Sequence, residues 1–379
     1  MTTLLVTNDF PPTIGGIQSY LRRFLDEVLA RRGPGSVVVF ASTQDEREAL
    51  LYDDSLPCVI HRWPRRVMLP TPATQREMAR LIREHNVDTV WFGAAAPLAL
   101  MAPAARRAGA QRIIASTHGH EVGWSMIPGA RHALRAIGNH ADVITYVSEY
   151  ARGRFQRAFG DHPEFVALPS GVDTEFFRPA TTAQRQATRA RLGVGDAPLI
   201  VCVSRLVARK GQDQLIRALP LIKKNVPDAT LVIVGEGSYR SRLERLVTQL
   251  DSRYHESVVF TGRVDATLMR DIYAAADVAA IPVRTRGGGL DVEGLGIVFL
   301  EAQACGVPVV AGNSGGAPEA VGPNSGLVVD GRSIDEVAST ITQVLIDDSL
   351  RASMASNGPA FVARDFSWDV LGARLAGLL

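Results

Sequence analysis

The stretch Gly287 to Ala302 holds five glycines, at 287, 288, 289, 294 and 296, together with two glutamates, Glu293 and Glu301. A glycine-rich loop that carries one carboxylate and then enters a helix turns backbone N–H groups toward a ligand. Here those groups belong to Leu295, Gly296, Ile297 and Val298, and they suit phosphate or sugar oxygens. Carboxylates accept pairs of hydroxyl protons, which is what sugar and ribose rings offer. Read as one helical track, Glu293 and Glu301 stand about two turns apart, on the same side but reaching different parts of an extended ligand. A loop glutamate plus a solvated helix glutamate would explain either acid alone, but it explains the glycines poorly.

Upstream, an apolar strand runs into Ser204-Arg205-Leu206-Val207-Ala208-Arg209-Lys210-Gly211. Arg205 forks onto phosphate oxygens and Lys210 adds a compact charge, a pairing suited to a diphosphate whose negative charge rises as it leaves. The plainer account is a solvated basic loop. The first strand ends in Asn8-Asp9-Phe10-Pro11-Pro12-Thr13-Ile14-Gly15-Gly16, just before an apolar-periodic helix. Gly15 and Gly16 there allow close approach of an anion to a helix start, or they simply make a strand-to-helix turn. They are not the dinucleotide fingerprint, which needs a third glycine. Ser116-Thr117-His118-Gly119-His120-Glu121 closes another strand. His118 is read as a polar contact to a reacting sugar and His120 as a hydrogen-bonded structural histidine. No metal is expected, because the helical zinc spacing and a third ligand are both missing.

The elements that must hold these residues alternate. Apolar β-branched runs at Thr3–Thr7, Val37–Ser42, Thr89–Phe92, Ile113–Ser116 and Val143–Val147 are separated by helical stretches. After a pause at Thr181–Arg191 a second series begins, with Leu199–Ser204, Leu231–Gly235, Val258–Gly262, Val278–Pro282 and Val307–Ala311. This is an α/β chain with two parallel-sheet domains. The boundaries fall at 1–180 for an acceptor-binding domain and 181–360 for a nucleotide-sugar-binding domain, with 361–379 a C-terminal helix packing back on the first. Ligands of such sheets sit beyond the carboxyl ends of the strands, so a cleft between two rows of loops is expected.

Composition excludes other classes. Forty-one Lys and Arg against 39 Asp and Glu leave a net charge of +2 over 379 residues, so no global charge draws the chain to nucleic acid. Cys58, Cys202 and Cys305 lie far apart in apolar runs and read as small buried hydrophobes in a reducing compartment. Met1 leads directly into an apolar strand with no basic leader, so a cytoplasmic protein is expected. The uncharged stretch Thr89–Ala105 is too short for a membrane span and is broken by Gly93, Pro97 and Pro103. Locally, Arg62, Arg65 and Arg66 precede a helix on which Arg76, Arg80 and Arg83 recur at one face, with Met78, Leu81 and Ile82 on another. That helix is either an ordinary solvated element or an amphipathic one lying on anionic lipid.

Glu293 and Glu301 with seven residues between them, Arg205 and Lys210 upstream, and Gly15-Gly16 at the start resemble the signature of the retaining family 4 glycosyltransferases. The resemblance spans essentially the whole chain. It implies the GT-B architecture: two facing Rossmann-like domains with an interdomain cleft. It also implies that Arg205 and Lys210 hold a diphosphate, that Glu293 contacts the donor sugar and that Glu301 contacts the ribose. Thr7–Pro12, Trp91–Pro97, Thr117–Trp124 and Gly288–Ala302 are similar to segments of actinobacterial mannosyltransferases acting on phosphatidylinositol mannosides. That likeness implies GDP-mannose as donor, a phosphoinositide glycolipid as acceptor, backbone groups around Val264 meeting guanine, and a peripheral place on the anionic inner face of the plasma membrane. With a lipid acceptor implied, the arginine helix becomes a candidate docking face.

Three other readings compete. A family 4 enzyme using UDP-glucose or another glycolipid or polysaccharide acceptor would be separated by donor competition. A nucleotide-sugar sensor would keep Arg205 and Glu301 without needing Glu293, and a dinucleotide oxidoreductase would need the missing glycine fingerprint.

Overall fold

The computed structural model describes residues 1–379. The chain divides into two compact units, Met1–Ser170 with Trp368–Leu379, and Gly171–Ser367.

In the first unit seven strands form one sheet: β1 (Thr2–Thr7), β2 (Val37–Ser42), β3 (Val59–Trp63), β4 (Val87–Phe92), β5 (Arg112–Ser116), β6 (Val143–Tyr146) and β7 (Glu164–Ala167). Their order is β3-β2-β1-β4-β5-β6-β7, and each pairing is parallel. Parallel strands covered on both faces are largely apolar: Leu4, Leu5 and Val6 of β1 are fully buried, with Thr3 and Thr7 buried beside them. Leu4 and Val6 join Val90 and Phe92 in the core on one face, while Leu5 joins Trp91 and Ile114 on the other. The helix Gly16–Arg32 covers that second face with Leu21, Phe24, Leu25 and Val28.

The helix Trp368–Leu378 packs on Gly16–Arg32. Trp368 meets Phe24 edge to face at 5.1 Å, and Leu371 and Leu375 are fully buried. Arg31 reaches Asp369 at 2.6 Å, and the Thr89 hydroxyl donates to the Leu379 carbonyl at 2.9 Å. Each of the two leucines contributes roughly 1.5–3 kcal/mol of apolar burial.

The second unit carries β8 (Leu199–Val203), β9 (Thr230–Val234), β10 (Val258–Gly262), β11 (Val278–Ile281), β12 (Val309–Gly312) and β13 (Gly326–Val329). They form a parallel sheet in the order β10-β9-β8-β11-β12-β13. The polar stretch read as a pause between domains is instead a helix of this unit, Thr182–Leu192. It begins in a Thr181/Gln184 capping box and ends at Gly193 in the left-handed region. Its Arg185 and Arg189 both close on Asp277, each at 2.6 Å, just before β11. The unit boundaries accordingly fall at Ser170 and Ser367 rather than at 180 and 360. The helix Asp348–Phe366 stays with the second unit, so only the last helix returns to the first.

Each sheet changes direction of winding at its first strand. That places the loops after β1 and β4, and those after β8 and β11, at the switch points where open α/β sheets bind ligands.

Candidate active-site residues of the two units

In the second unit, the loops after β8 and β11 bring distant charges together. Lys210 lies 2.7 Å from the Oε2 of Glu293, and both residues are 7% exposed. Arg209 joins them, with its Nε 3.1 Å from Asp291 and its guanidinium 3.8 Å from Glu293. The position of the basic loop is built locally. Gly211 adopts φ +78, and a Cβ there would stand 2.1 Å from the Pro282 carbonyl oxygen after β11. Buried Gln212 donates to the Ser204 hydroxyl at 2.8 Å and to the Arg205 carbonyl at 3.0 Å. Behind it, Arg284 forks onto buried Asp213 with both contacts at 2.9 Å.

Glu293 is held from its other side. Its carbonyl accepts from the Gly316 N–H at 2.9 Å, and Gly315, at φ +62, lies so close that a Cβ would come within 1.9 Å of that oxygen. Neither Asp213 nor Gly315 was foreseen from the sequence. The Ser314-Gly315-Gly316 run after β12 was the available signal for the second, whereas no spacing marks the first.

The expected two-turn separation of the glutamates is not present. Gly296, at φ +93, breaks the track, and the helix runs only from Ile297 to Ala304, so Glu293 belongs to the loop and Glu301 to the helix. A Cβ at Gly296 would meet the Phe299 ring at 2.6 Å, which fixes glycine as the turning point. The helix has no side-chain cap and no acidic residue in its first turn, which leaves its N-terminal dipole free for an anion. Leu295 turns its side chain into the core, which leaves only its backbone available to a ligand.

Arg205 is exposed and makes no ion pair. It lines a cavity of about 360 Å³ with Ser204, Gly235, Val264, Met269 and Val298. The structure therefore brings Arg205, Val264 and the first turn of the Ile297–Ala304 helix to one hollow, at the carboxyl ends of β8 and β9. Glu301 follows one turn into that helix and accepts from the Tyr273 hydroxyl at 3.3 Å. Loss of hydration pushes its carboxyl up to about 7, a rise moderated by the Tyr273 bond.

In the first unit, β1 delivers Asp9 and the Gly15-Gly16 turn. Gly16 opens the Gly16–Arg32 helix, which lacks a side-chain cap, and a Cβ on Gly16 would meet nothing within 4 Å. Asp9 accepts from the Gln18 amide at 3.0 Å, and its carboxyl is raised by desolvation against the opposing charge of His120. His118 follows β5. Its Nε2 lies 2.7 Å from the Gly93 carbonyl oxygen, and its ring packs edge to face on Tyr20 at 4.9 Å. Burial lowers its pKa to about 4, outweighing the Gly93 bond, so the ring is neutral with Nε2–H as donor. Fully buried Glu121 accepts from the His118 and Gly119 N–H groups at 3.1 and 3.2 Å and pairs with His120 at 3.1 Å. Its carboxylate is thus engaged in holding the loop, and these side chains form no metal-ligating cluster.

The basic surface is smaller than the sequence suggested. Arg62 is an internal brace, forked onto Asp53 at 2.6 and 2.9 Å and donating to the Pro11 carbonyl at 2.7 Å. On the helix Pro72–Glu84, Met78, Leu81 and Ile82 are buried in the core, and Arg80 pairs with Glu77 and Glu84. Its apolar face is therefore closed to lipid.

Two Rossmann-like units, one of them carrying a cationic loop, the Lys210–Glu293 ion pair and an uncapped helix start, have the make-up of a glycosyltransferase of the GT-B type. Residues 14–176 match the Glycosyltransferase Family 4 model and residues 184–361 the Glycosyl transferases group 1 model, and the chain belongs to this family. It is 57% identical over 378 residues to the GDP-mannose-dependent monoacylated alpha-(1-6)-phosphatidylinositol monomannoside mannosyltransferase of Corynebacterium glutamicum, covering 100% of this chain and 97% of that one. It is 52% identical over 380 residues to the GDP-mannose-dependent alpha-(1-6)-phosphatidylinositol monomannoside mannosyltransferase of Mycolicibacterium smegmatis, covering 99% and 97%. The fold matches Anabaena Alr3699/HepE in complex with UDP at TM-score 0.78 and 21% identity, covering 100% of this chain and 99% of that one.

Proposed function

We propose that this glycosyltransferase moves α-mannose from GDP-mannose to the inositol 6-position of phosphatidylinositol monomannoside, with retention of anomeric configuration, while peripheral on the anionic inner face of the plasma membrane. The observation that carries the reading is the Lys210–Glu293 pair at 2.7 Å, in the unit that also holds the Arg205 hollow, in a chain similar from end to end to two such mannosyltransferases.

In this reading the bond from the mannose anomeric carbon to the β-phosphate oxygen breaks, and a bond to the inositol 6-oxygen forms on the same face. The acceptor's hydroxyl proton passes to the departing phosphate oxygen, and GDP leaves. No separate catalytic base is required, and no metal is assigned. Arg205 and Lys210 stabilise the charge that develops on the diphosphate. Glu293 orients the mannose hydroxyls, Glu301 accepts from the ribose, and backbone around Val264 meets guanine. The N–H groups of Leu295, Gly296 and Ile297 face the phosphates. On the first unit the assigned donor contacts are Gly15, Gly16 and His118. The neutral His118 ring supplies a polar contact without adding charge.

The test is incubation with labelled GDP-mannose and phosphatidylinositol monomannoside vesicles, with UDP-glucose and the Glu293→Ala variant as controls. Transfer from GDP-mannose alone, lost in the variant, is expected. Transfer from UDP-glucose instead, or none to this acceptor while GDP-mannose still binds, would overturn the assignment of donor or acceptor.

A further inference from the structure

Helices Glu121–Met126 and Pro128–Gly138 meet at a corner where Met126 is 51% exposed and Ile127 60% exposed, two adjacent large apolar side chains in water. No acidic residue occurs from Val122 through Ala141, or from Tyr150 through Gly160. Arg131 and Arg135 lie one turn apart on the exposed side of the second helix, while its Leu134 and Ile137 are buried. The neighbouring helix, Glu149–Phe159, adds two more exposed arginines. Arg154 reaches the Met126 sulfur at 3.9 Å, and its carbonyl lies 3.4 Å from the Ser125 hydroxyl. The Arg157 carbonyl accepts from Arg135 at 3.0 Å. The acidic residue that opens this helix, Glu149, is paired with Arg152 at 2.6 Å. At this corner opens a groove of about 500 Å³ lined by Ser125, Met126, Pro128, Arg131, His132 and Arg135.

We propose that the corner of Met126 and Ile127, flanked by Arg131, Arg135, Arg154 and Arg157, seats the protein on an anionic phospholipid bilayer. The two apolar side chains enter the boundary between headgroups and acyl chains, Arg131 and Arg135 meet lipid phosphates at the groove, and exposed Arg154 and Arg157 add positive charge from the neighbouring helix. An exposed apolar tip ringed by cations and free of carboxylates fits that partner and repels a basic one. This inference rests on the lipid-acceptor reading above for its membrane setting. It replaces the Pro72–Glu84 helix as the docking element, because the apolar residues of that helix lie in the core.

The experiment is sedimentation of the full chain with phosphatidylglycerol–phosphatidylcholine vesicles free of glycolipid. It compares Met126→Ser/Ile127→Ser and Arg131→Glu/Arg135→Glu with Arg76→Glu/Arg83→Glu, which changes net charge equally at the other helix. GDP binding reports that each variant is folded. Each arginine near an anionic surface contributes about five-fold in affinity. Both corner variants are therefore expected to weaken vesicle binding at least ten-fold, while the Arg76/Arg83 variant stays within two- to three-fold. Corner variants that bind like the parent, or an equal loss in the Arg76/Arg83 variant, would overturn the corner as the seat. A parent chain that does not sediment with vesicles would overturn it as well. Transfer to detergent-dispersed acceptor then shows whether the lipid-acceptor reading survives without it.

Discussion

Lys210 and Glu293, brought from the loops after β8 and β11, form an ion pair 2.7 Å apart and almost wholly buried. Arg209 and Asp291 extend the pair outward, and Gly315 closes it from behind. In the proposed reading, a buried cation that already has a partner needs no rearrangement of water to meet a diphosphate, and its glutamate is already held in place for the sugar hydroxyls assigned to it. The charge pair is thereby both a structural support and the assigned reaction centre.

Removing one partner and removing both should give different results. Lys210→Ala leaves buried Glu293 with only the looser Arg209 contact at 3.8 Å and should cost up to about 3–5 kcal/mol of stability, with a loss of at least about 100-fold in kcat/KM. Lys210→Met combined with Glu293→Gln should recover most of the stability and none of the turnover. Thermal denaturation beside mannosyl transfer reads both. A double variant that regained activity would remove these residues from the chemistry.

Two glycines separate structural need from ligand contact. Gly315→Ala places a methyl against the Glu293 carbonyl at positive φ, so it should lower both stability, by more than about 1 kcal/mol, and activity. Gly16→Ala meets open space in the free protein and, at a helix start, should leave the melting temperature unchanged or slightly raised. If Gly16 faces the donor, the same variant raises KM for GDP-mannose at least about ten-fold. An unchanged KM would return Gly15-Gly16 to a simple strand-to-helix turn.

The central strands are readable because burial on both faces leaves them almost free of charge and rich in apolar and β-branched residues. The three strands that escaped notice, β3, β7 and β13, all stand at sheet edges. There, sequences such as Val59-Ile60-His61-Arg62-Trp63 and Glu164-Phe165-Val166-Ala167 are part exposed and lose the apolar run. At the site, the residue types of Arg205, Lys210, Glu293 and Glu301 were legible, but their geometry was not. The sequence shows glycine at 296 without showing that it turns the chain out of the helix. In sequence Arg62 is indistinguishable from its neighbours Arg65 and Arg66, because its partner, Asp53, lies on another element and no local pattern links them. The arginine helix misled for a related reason: amphipathicity shows that a face is buried, but not whether protein or lipid buries it.

Glu301 should make nucleotide binding depend on pH. Its carboxyl is raised from the usual range to about 7, so the free protein holds a proton there that the unfolded chain releases near 4.5. The resulting stability is complete below about 4.5 and is lost as pH rises through 7. In the proposed assignment ribose hydroxyls donate to the ionised form, so binding would expel this proton. GDP affinity should fall by up to ten-fold per unit below pH 7 and level off above it, with Glu301→Gln removing the dependence. Calorimetric titration between pH 5.5 and 8.5 measures this. An equal slope in parent and variant would place the proton elsewhere.

His118 should show the opposite sign. Burial lowers its pKa from 6.5 to about 4, so the unfolded chain takes up a proton that the folded chain refuses. The neutral ring contributes stability that is fully present above about pH 6.5. It is lost as pH falls toward 4, by up to about 3 kcal/mol. Because Glu301 slopes the other way across part of that window, the readout is the difference between the parent and His118→Gln, which should widen from pH 4 to 6.5 and then stay constant. Ring-proton NMR should place the His118 midpoint near 4, and any limb of the pH–rate profile near 6.5 should survive in the variant. A midpoint near 6.5 would mean that the ring is hydrated and carries charge, and the assignment of His118 as a neutral contact to the reacting sugar would fall.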